Sequence, residues 1–190
     1  MSQAKRKATY ADLVKVPDGK VAEIVDGELF VSPRPASPHA LAASTIGMAL
    51  APFHAPPGQA GCPGGWWILF EPELHLGDDV LVPDLAGWRR ARLPVLPNVT
   101  AFTQAPDWTC EVASPATVVL DRRHKMRIYA REGIGHLWIV DPSNRSLEVH
   151  RLEGGRWVLA SAHAANVPIR VEPFETLVLD PSRWWLQQAP

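Results

Sequence analysis

Three ionisable residues stand in places where charge is costly. Asp84 closes the run Val80-Leu81-Val82-Pro83-Asp84, and Glu111 sits inside Trp108-Thr109-Cys110-Glu111-Val112-Ala113. Lys125 lies in Asp121-Arg122-Arg123-His124-Lys125-Met126-Arg127-Ile128-Tyr129. An acid in an apolar strand needs a partner. Two acids on neighbouring strands can hold a hard divalent cation through oxygen. An ammonium beside them can orient a water or steady a developing negative charge. Together these are the equipment of metal-dependent phosphodiester hydrolysis. A plain structural reading also stands: Asp84 starts a turn, Glu111 pairs with an arginine, and Lys125 is a surface residue.

The elements that must position these residues can be read from pattern. Thr9-Tyr10-Ala11-Asp12 is a capping box, predicting a short helix from Tyr10 to Lys15. Val21–Val25 and Glu28–Ser32 flank Asp26-Gly27, a dipeptide favoured in two-residue hairpin turns. Ser37 reads as an N-cap with Pro38 at the first helical position, opening a helix to about Phe53. Trp66 to Leu76 reads as one strand with Phe70, Pro72, Leu74 and Leu76 on one face and Glu71, Glu73 and His75 on the other. Val80 to Trp88 is its partner. Trp108–Ala113 is a central strand, with Glu111 sharing a face with Thr109 and Ala113. A helix follows over Asp121 to Arg131, N-capped by Asp121 and ended at Gly133. Asp121, Lys125 and Tyr129 lie on one side of it, with the Tyr129 hydroxyl near the rim. Leu137–Val140 is a doubly buried strand. Leu147–Leu152 and Arg156–Leu159 form a hairpin around Glu153-Gly154-Gly155, and a short strand lies near Ile169–Val171. A helix crossing between two strands gives an α/β core flanked by hairpins.

Several words of this sequence, in order, resemble the Uma-two family of restriction-endonuclease-like proteins. They are Ala22-Glu23-Ile24-Val25-Asp26-Gly27-Glu28-Leu29, His39, Val82-Pro83-Asp84 and Glu111-Val112-Ala113-Ser114-Pro115, then Asp121, Lys125, Tyr129 and Gly133 through Pro142. The resemblance implies a PD-(D/E)xK nuclease core, with a central mixed sheet flanked by helices and added hairpins, as a single domain over residues 8–180. It implies an endonuclease in which Asp84 and Glu111 bind Mg²⁺, or Mn²⁺, with the Val112 carbonyl as a further ligand, and in which Lys125 is catalytic. The strict signature places lysine two residues after the acid. Here that position is Ala113, so Lys125 is read as the replacement arriving from the following helix. Glu23 and His39 occupy family-like positions as secondary candidates, Glu23 adding a carboxylate and His39 near a phosphate or water. Glu71 and Tyr129 complete the secondary set.

The chain has 190 residues, 46% apolar and 21% charged, which suits one globular domain. Residues 1–7 read as a short basic tail without an apolar signal region. Cys62 and Cys110 have no metal spacing and predict no disulfide, so the expected compartment is the cytoplasm, with no membrane segment. The net charge of −1 is low for a DNA binder, although Arg122-Arg123-His124-Lys125 offers a local basic patch. Arg89-Arg90-Ala91-Arg92 reads as a solvated face pairing with acids. DNA is the expected substrate. Eight tryptophans are present. Trp66, Trp67, Trp108, Trp138 and Trp157 are expected in the core. The adjacent Trp184 and Trp185 are expected to cover a sheet edge or a dimer contact, and a homodimer joined there or by an exposed sheet edge would also serve duplex cleavage. Two rival readings remain: a nuclease fold that lost activity and binds protein or nucleic acid, and a metal-dependent hydrolase of another phosphoester.

Overall fold

The computed structural model describes residues 6–56, 58–164 and 166–187. Most of the expected amino-terminal tail, residues 1–5, lies outside the described residues, while Arg6 and Lys7 pair with Asp12 and Asp78. The strands are β1 Lys20–Val25, β2 Glu28–Pro33, β3 Trp66–Phe70, β4 Leu74–Leu76, β5 Asp79–Leu81, β6 Leu85–Arg89, β7 Trp108–Val112, β8 His136–Asp141, β9 Ser146–Glu153 and β10 Arg156–Ala164. The helices are α1 Tyr10–Leu13, α2 Ser37–Ala49, α3 Ala51–His54 and α4 Met126–Arg131, the last continuing a π-helical segment, Leu120–Lys125.

The strands form two sheets, a four-stranded one in the order β2-β1-β5-β4 and a six-stranded one in the order β10-β9-β8-β7-β6-β3. β7 and β8 run parallel, joined by the helical stretch, and their neighbours β6 and β9 are antiparallel to them. The large sheet is therefore mixed. On β7, Trp108, Cys110 and Val112 enter a core shared with α2, α3 and the carboxy-terminal segment. Thr109 and Glu111 take the opposite face, where Ile128 and Tyr129 of α4 pack with Leu137, Ile139 and the small sheet.

The expected Trp66–Leu76 strand and its partner Val80–Trp88 are each two strands. The ladder of β3 on β6 ends at Phe70↔Leu85 and resumes as β4 on β5 at Leu74↔Leu81. Between them the Glu71 N–H donates to the Asp84 carbonyl at 3.1 Å, and Glu71 adopts a left-handed φ of 42°. Pro72 and Pro83 cause the break, since neither can donate to a ladder. The two-stranded ribbon leaves the large sheet and enters the small one at this joint, and Asp84 sits on it.

Smaller corrections follow local chemistry. α1 keeps its capping interaction, Thr9 N–H to Asp12 Oδ2 at 2.9 Å, but ends at Leu13. Ala36, not Ser37, is the N-cap of α2, and Leu50 separates α2 from α3 ahead of Pro52. The Asp26-Gly27 turn is as expected, with both residues at positive φ, 54° and 77°. Near Ile169 a single bridge to Leu179 replaces a strand.

Trp184 and Trp185 do not cover an edge. They are 1% and 4% exposed, because residues after β10 fold back under the large sheet. There Phe174 touches the rings of Phe53, Trp66, Trp108 and Trp138, and Trp184 stacks on Trp138. A 3₁₀ turn, Pro181–Trp184, opened by the Asp180 side chain accepting from Ser182 N–H, turns both indoles inward. The expected tryptophan dimer contact is thereby removed. Among the described residues no helix is long and apolar enough to cross a membrane.

Candidate active site

Lys125 is 2% exposed, the opposite of a default surface lysine. The π-helical segment widens the helix where Asp121 and Lys125 face the sheet, a distortion frequent at functional sites. Lys125 Nζ lies 2.9 Å from Glu23 Oε1, 2.9 Å from Glu111 Oε1 and 3.6 Å from Asp121 Oδ1. It also donates to the Val82 carbonyl at 3.3 Å. Three elements thus converge on one ammonium: β1 through Glu23, β7 through Glu111, and the helix itself.

Glu23 has a second task. Its Oε1 accepts the Val82 N–H at 2.8 Å, tying β1 to the sheet joint. Asp121 is not an N-cap, since Val119 precedes the segment and Asp121 is buried beside Lys125. Tyr129 does not reach the rim: it is fully buried, and its hydroxyl donates to Glu111 Oε1, the oxygen that also meets Lys125. Both interactions fall on one carboxylate oxygen and fix the side chain's orientation.

Asp84 sits at the joint with both oxygens engaged. Oδ2 accepts the Val112 N–H at 2.7 Å. That N–H lies two residues beyond the last ladder pair between β6 and β7, Leu85↔Cys110, so Asp84 caps a donor the sheet leaves over. Val112, expected to offer its carbonyl, is fixed to the site through this N–H. Oδ1 lies 2.6 Å from His39 Nε2 on the first turn of α2. His39 Nδ1 is buried without a hydrogen-bond partner among the described residues.

Asp84, Glu111, Lys125, Glu23, His39, Glu71 and Asp121 all line one cavity of about 250 Å³, faced by the loop Ser114–Thr117. Glu71 stands at its mouth, exposed and paired with Arg34 at 3.0 Å. Arg34, Asp121 and the Ser114–Thr117 wall were not singled out for the site by sequence. Ser114-Pro115 and Asp121 carried a signal as family-like words, Asp121 also through its i, i+4 spacing to Lys125, but the N-cap reading hid it.

The cluster is short of positive charge. Burial pushes the Glu111 carboxyl well above its usual range, and although Lys125 pulls it down, Asp121, Asp84 and Glu23 push it further up. Burial raises Asp121 as well, against the pull of Lys125. Burial opposes charge on Lys125, but Glu111, Glu23 and Asp121 outweigh it and hold the ammonium well above the usual lysine value. Both directions favour protons held within the cluster, on Lys125 and on the buried carboxyls. Among the described residues no three His, Cys, Asp or Glu side chains form a ready-made cation set. Mg²⁺ asks for less, because it keeps several waters and takes one or two carboxylates. The donor chemistry here, carboxylates in excess over one ammonium, fits it.

Four solved chains match this one. One is a crystal structure described as a putative nuclease belonging to DUF820 from Anabaena variabilis ATCC 29413. It superposes with a TM-score of 0.71 over 93% of this chain and 97% of that chain, at 22% identity. It shares the mixed α/β fold. No curated protein matches the chain. Residues 8–182 match the Uma2 family, described as "Putative restriction endonuclease", and the chain belongs to that family.

Proposed function

We propose that this protein is a divalent-cation-dependent endonuclease that hydrolyses phosphodiester bonds in DNA. One observation carries the reading: Asp84, Glu111 and Lys125, from three separate elements, share a cavity whose carboxylates exceed its cations. Asp84 and Glu111 would hold Mg²⁺ or Mn²⁺ with the Val112 carbonyl as a further oxygen, and the ion supplies Lewis-acid polarisation of the phosphate. The protein's own groups do the rest. Lys125, fixed by Glu23, Glu111 and the Val82 carbonyl, holds a positive charge where negative charge grows at phosphorus. Tyr129 and Lys125 occupy one Glu111 oxygen and leave the other for the cation. The Val112 N–H and His39 each hold one Asp84 oxygen. The surrounding strands keep bulk water from screening these charges.

One observation favours the rival, a nuclease fold that binds without cutting: both Asp84 oxygens and the Lys125 ammonium already have protein partners. The deciding experiment is calorimetric Mn²⁺ titration with cleavage of linear and supercoiled DNA, wild type against Asp84→Asn. The nuclease reading expects one Mn²⁺ site and Mn²⁺-dependent cleavage, both lost in the variant. A wild type that binds no Mn²⁺ and cuts no DNA sinks it in favour of the rival.

A further inference from the structure

The active cavity has two neighbours, and Glu71 lines all three. One is an open cavity of about 550 Å³ that shares Arg34, Val21 and Val82 with the active one and adds Lys20, Asp18 and Glu73. The other is a cavity of about 170 Å³ that shares Pro35, His39 and Asp84 with the active one and is walled by Phe70 and the small residues Ala40, Ala43 and Ser44 of α2. Three compartments therefore meet at the sheet joint with the acids in the middle.

The two flanks differ in chemistry. Lys125 is buried among carboxylates, so the exposed cation at the active cavity's rim is Arg34, whose side chain is 56% exposed. Its present partner, Glu71, is held there by the left-handed bend, as a carboxylate standing where a phosphate could pair with the guanidinium. On the other flank Phe70 is 54% exposed although it ends a strand of the large sheet. The tip of its ring abuts α2 at Gly47, where an added Cβ would lie 1.9 Å from Phe70 Cζ. Only glycine admits the ring there. The glycine lets an exposed aromatic ring lie against α2 near Asp84.

We infer that these compartments form a track for a single DNA strand, with Arg34 gripping a backbone phosphate on one side of the scissile bond and Phe70 stacking an unpaired base on the other. This rests on the nuclease reading and narrows its substrate. Duplex binders neutralise many phosphates with a basic face, and a chain of net charge −1 is poorly made for that. Single-strand binders set an aromatic platform beside cations; here Phe70 is the exposed ring and Arg34 the exposed cation, in company with Asp18, Glu71 and Glu73. One strand asks for one site, so this substrate does not need the two-fold assembly that duplex cleavage suggested.

The test is fluorescence anisotropy with a short labelled single-stranded oligodeoxynucleotide and its duplex, in chelator so that neither is cut. Wild type is compared with Phe70→Ala, Phe70→Trp and Arg34→Ala, and Mn²⁺ calorimetry and cleavage are run on each. Expected are tighter binding of the single strand than of the duplex and a loss of roughly 5- to 150-fold in Phe70→Ala, the range for one stacked base. Phe70→Trp should restore binding. Arg34→Ala should lower the salt dependence by about one phosphate contact. Mn²⁺ binding should be unchanged in all three. Equal or tighter duplex binding, or single-strand binding by Phe70→Ala equal to wild type, overturns the track while Mn²⁺ binding and cleavage leave the nuclease reading standing. A wild type that takes neither Mn²⁺ nor DNA overturns both.

Discussion

Replacing Lys125 with methionine keeps an unbranched side chain of similar length and removes only the charge. Three carboxylates, Glu23, Glu111 and Asp121, then lose their shared ammonium at positions 6% or less exposed. Breaking a buried ion pair by removing one partner costs about 3–5 kcal/mol. For a chain of this length that lowers the melting temperature by roughly 6–20 °C, at about 2–4 °C per kcal/mol. A surface lysine, the default reading of Lys125, could be lost without harm to the fold. Its burial says otherwise. The sign with pH follows from the carboxyls. Glu111 and Asp121 sit above their usual values in the fold, so they accept protons as pH falls through that raised range. Protonated, they no longer need the ammonium, and the gap between variant and wild type narrows in acid. Lys125 itself, raised above the usual lysine value, keeps its contribution below that value and loses it only as pH rises beyond it. The assay is chemical and thermal unfolding of both proteins, metal-free, across that range, followed by Mn²⁺ addition, which should restore part of the loss. A metal-free variant within about 1 kcal/mol of wild type at neutral pH would refute the view of Lys125 as the cluster's counter-ion.

Three other outcomes follow from the same geometry. Tyr129→Phe leaves the shared Glu111 oxygen with one donor fewer and should cost about 1–3 kcal/mol in denaturant unfolding, with weaker Mn²⁺ binding by calorimetry; an unchanged pair of values would remove Tyr129 from the site. Because Glu111 holds its proton above the usual range, Mn²⁺ affinity should rise with pH and binding should release protons, seen as a heat that changes with the buffer's ionisation enthalpy. Trp184→Ala should cost about 3–5 kcal/mol as a core truncation, and sedimentation should show no change in oligomer, since the indole lies under the sheet.

The site was legible as residue types and spacing, because buried strands tolerate acids only with partners, and Asp84 and Glu111 advertise that conflict. What stayed hidden was direction. Pro72 and Pro83 sat in plain view inside predicted strands, yet alternation of apolar residues runs unbroken through them and conceals the passage between sheets. Asp121 looked like a helix cap because acids favour first turns, and the π-helical widening that turns it inward leaves no local mark. Tyr129 was on the right face of the helix, but its depth depends on how closely the helix packs on β7 and β8. Trp184 and Trp185 misled because adjacent residues point apart on a strand; in a 3₁₀ turn followed by extended chain they need not. The Asp26-Gly27 hairpin, set by two neighbouring residues, was readable throughout.

The sheet joint has a consequence for when this protein can act during its own synthesis. Glu23 arrives with the first hairpin, Asp84 with the crossing ribbon, Glu111 with the central strand and Lys125 last, on the helix after it. Until that helix docks, the acids lack their shared ammonium and Val82 lacks one of its two ties. The carboxy-terminal segment that seals the opposite face comes later still. A nascent chain therefore carries the acids of the candidate site before their counter-ion, and the cluster is complete only once that helix has docked.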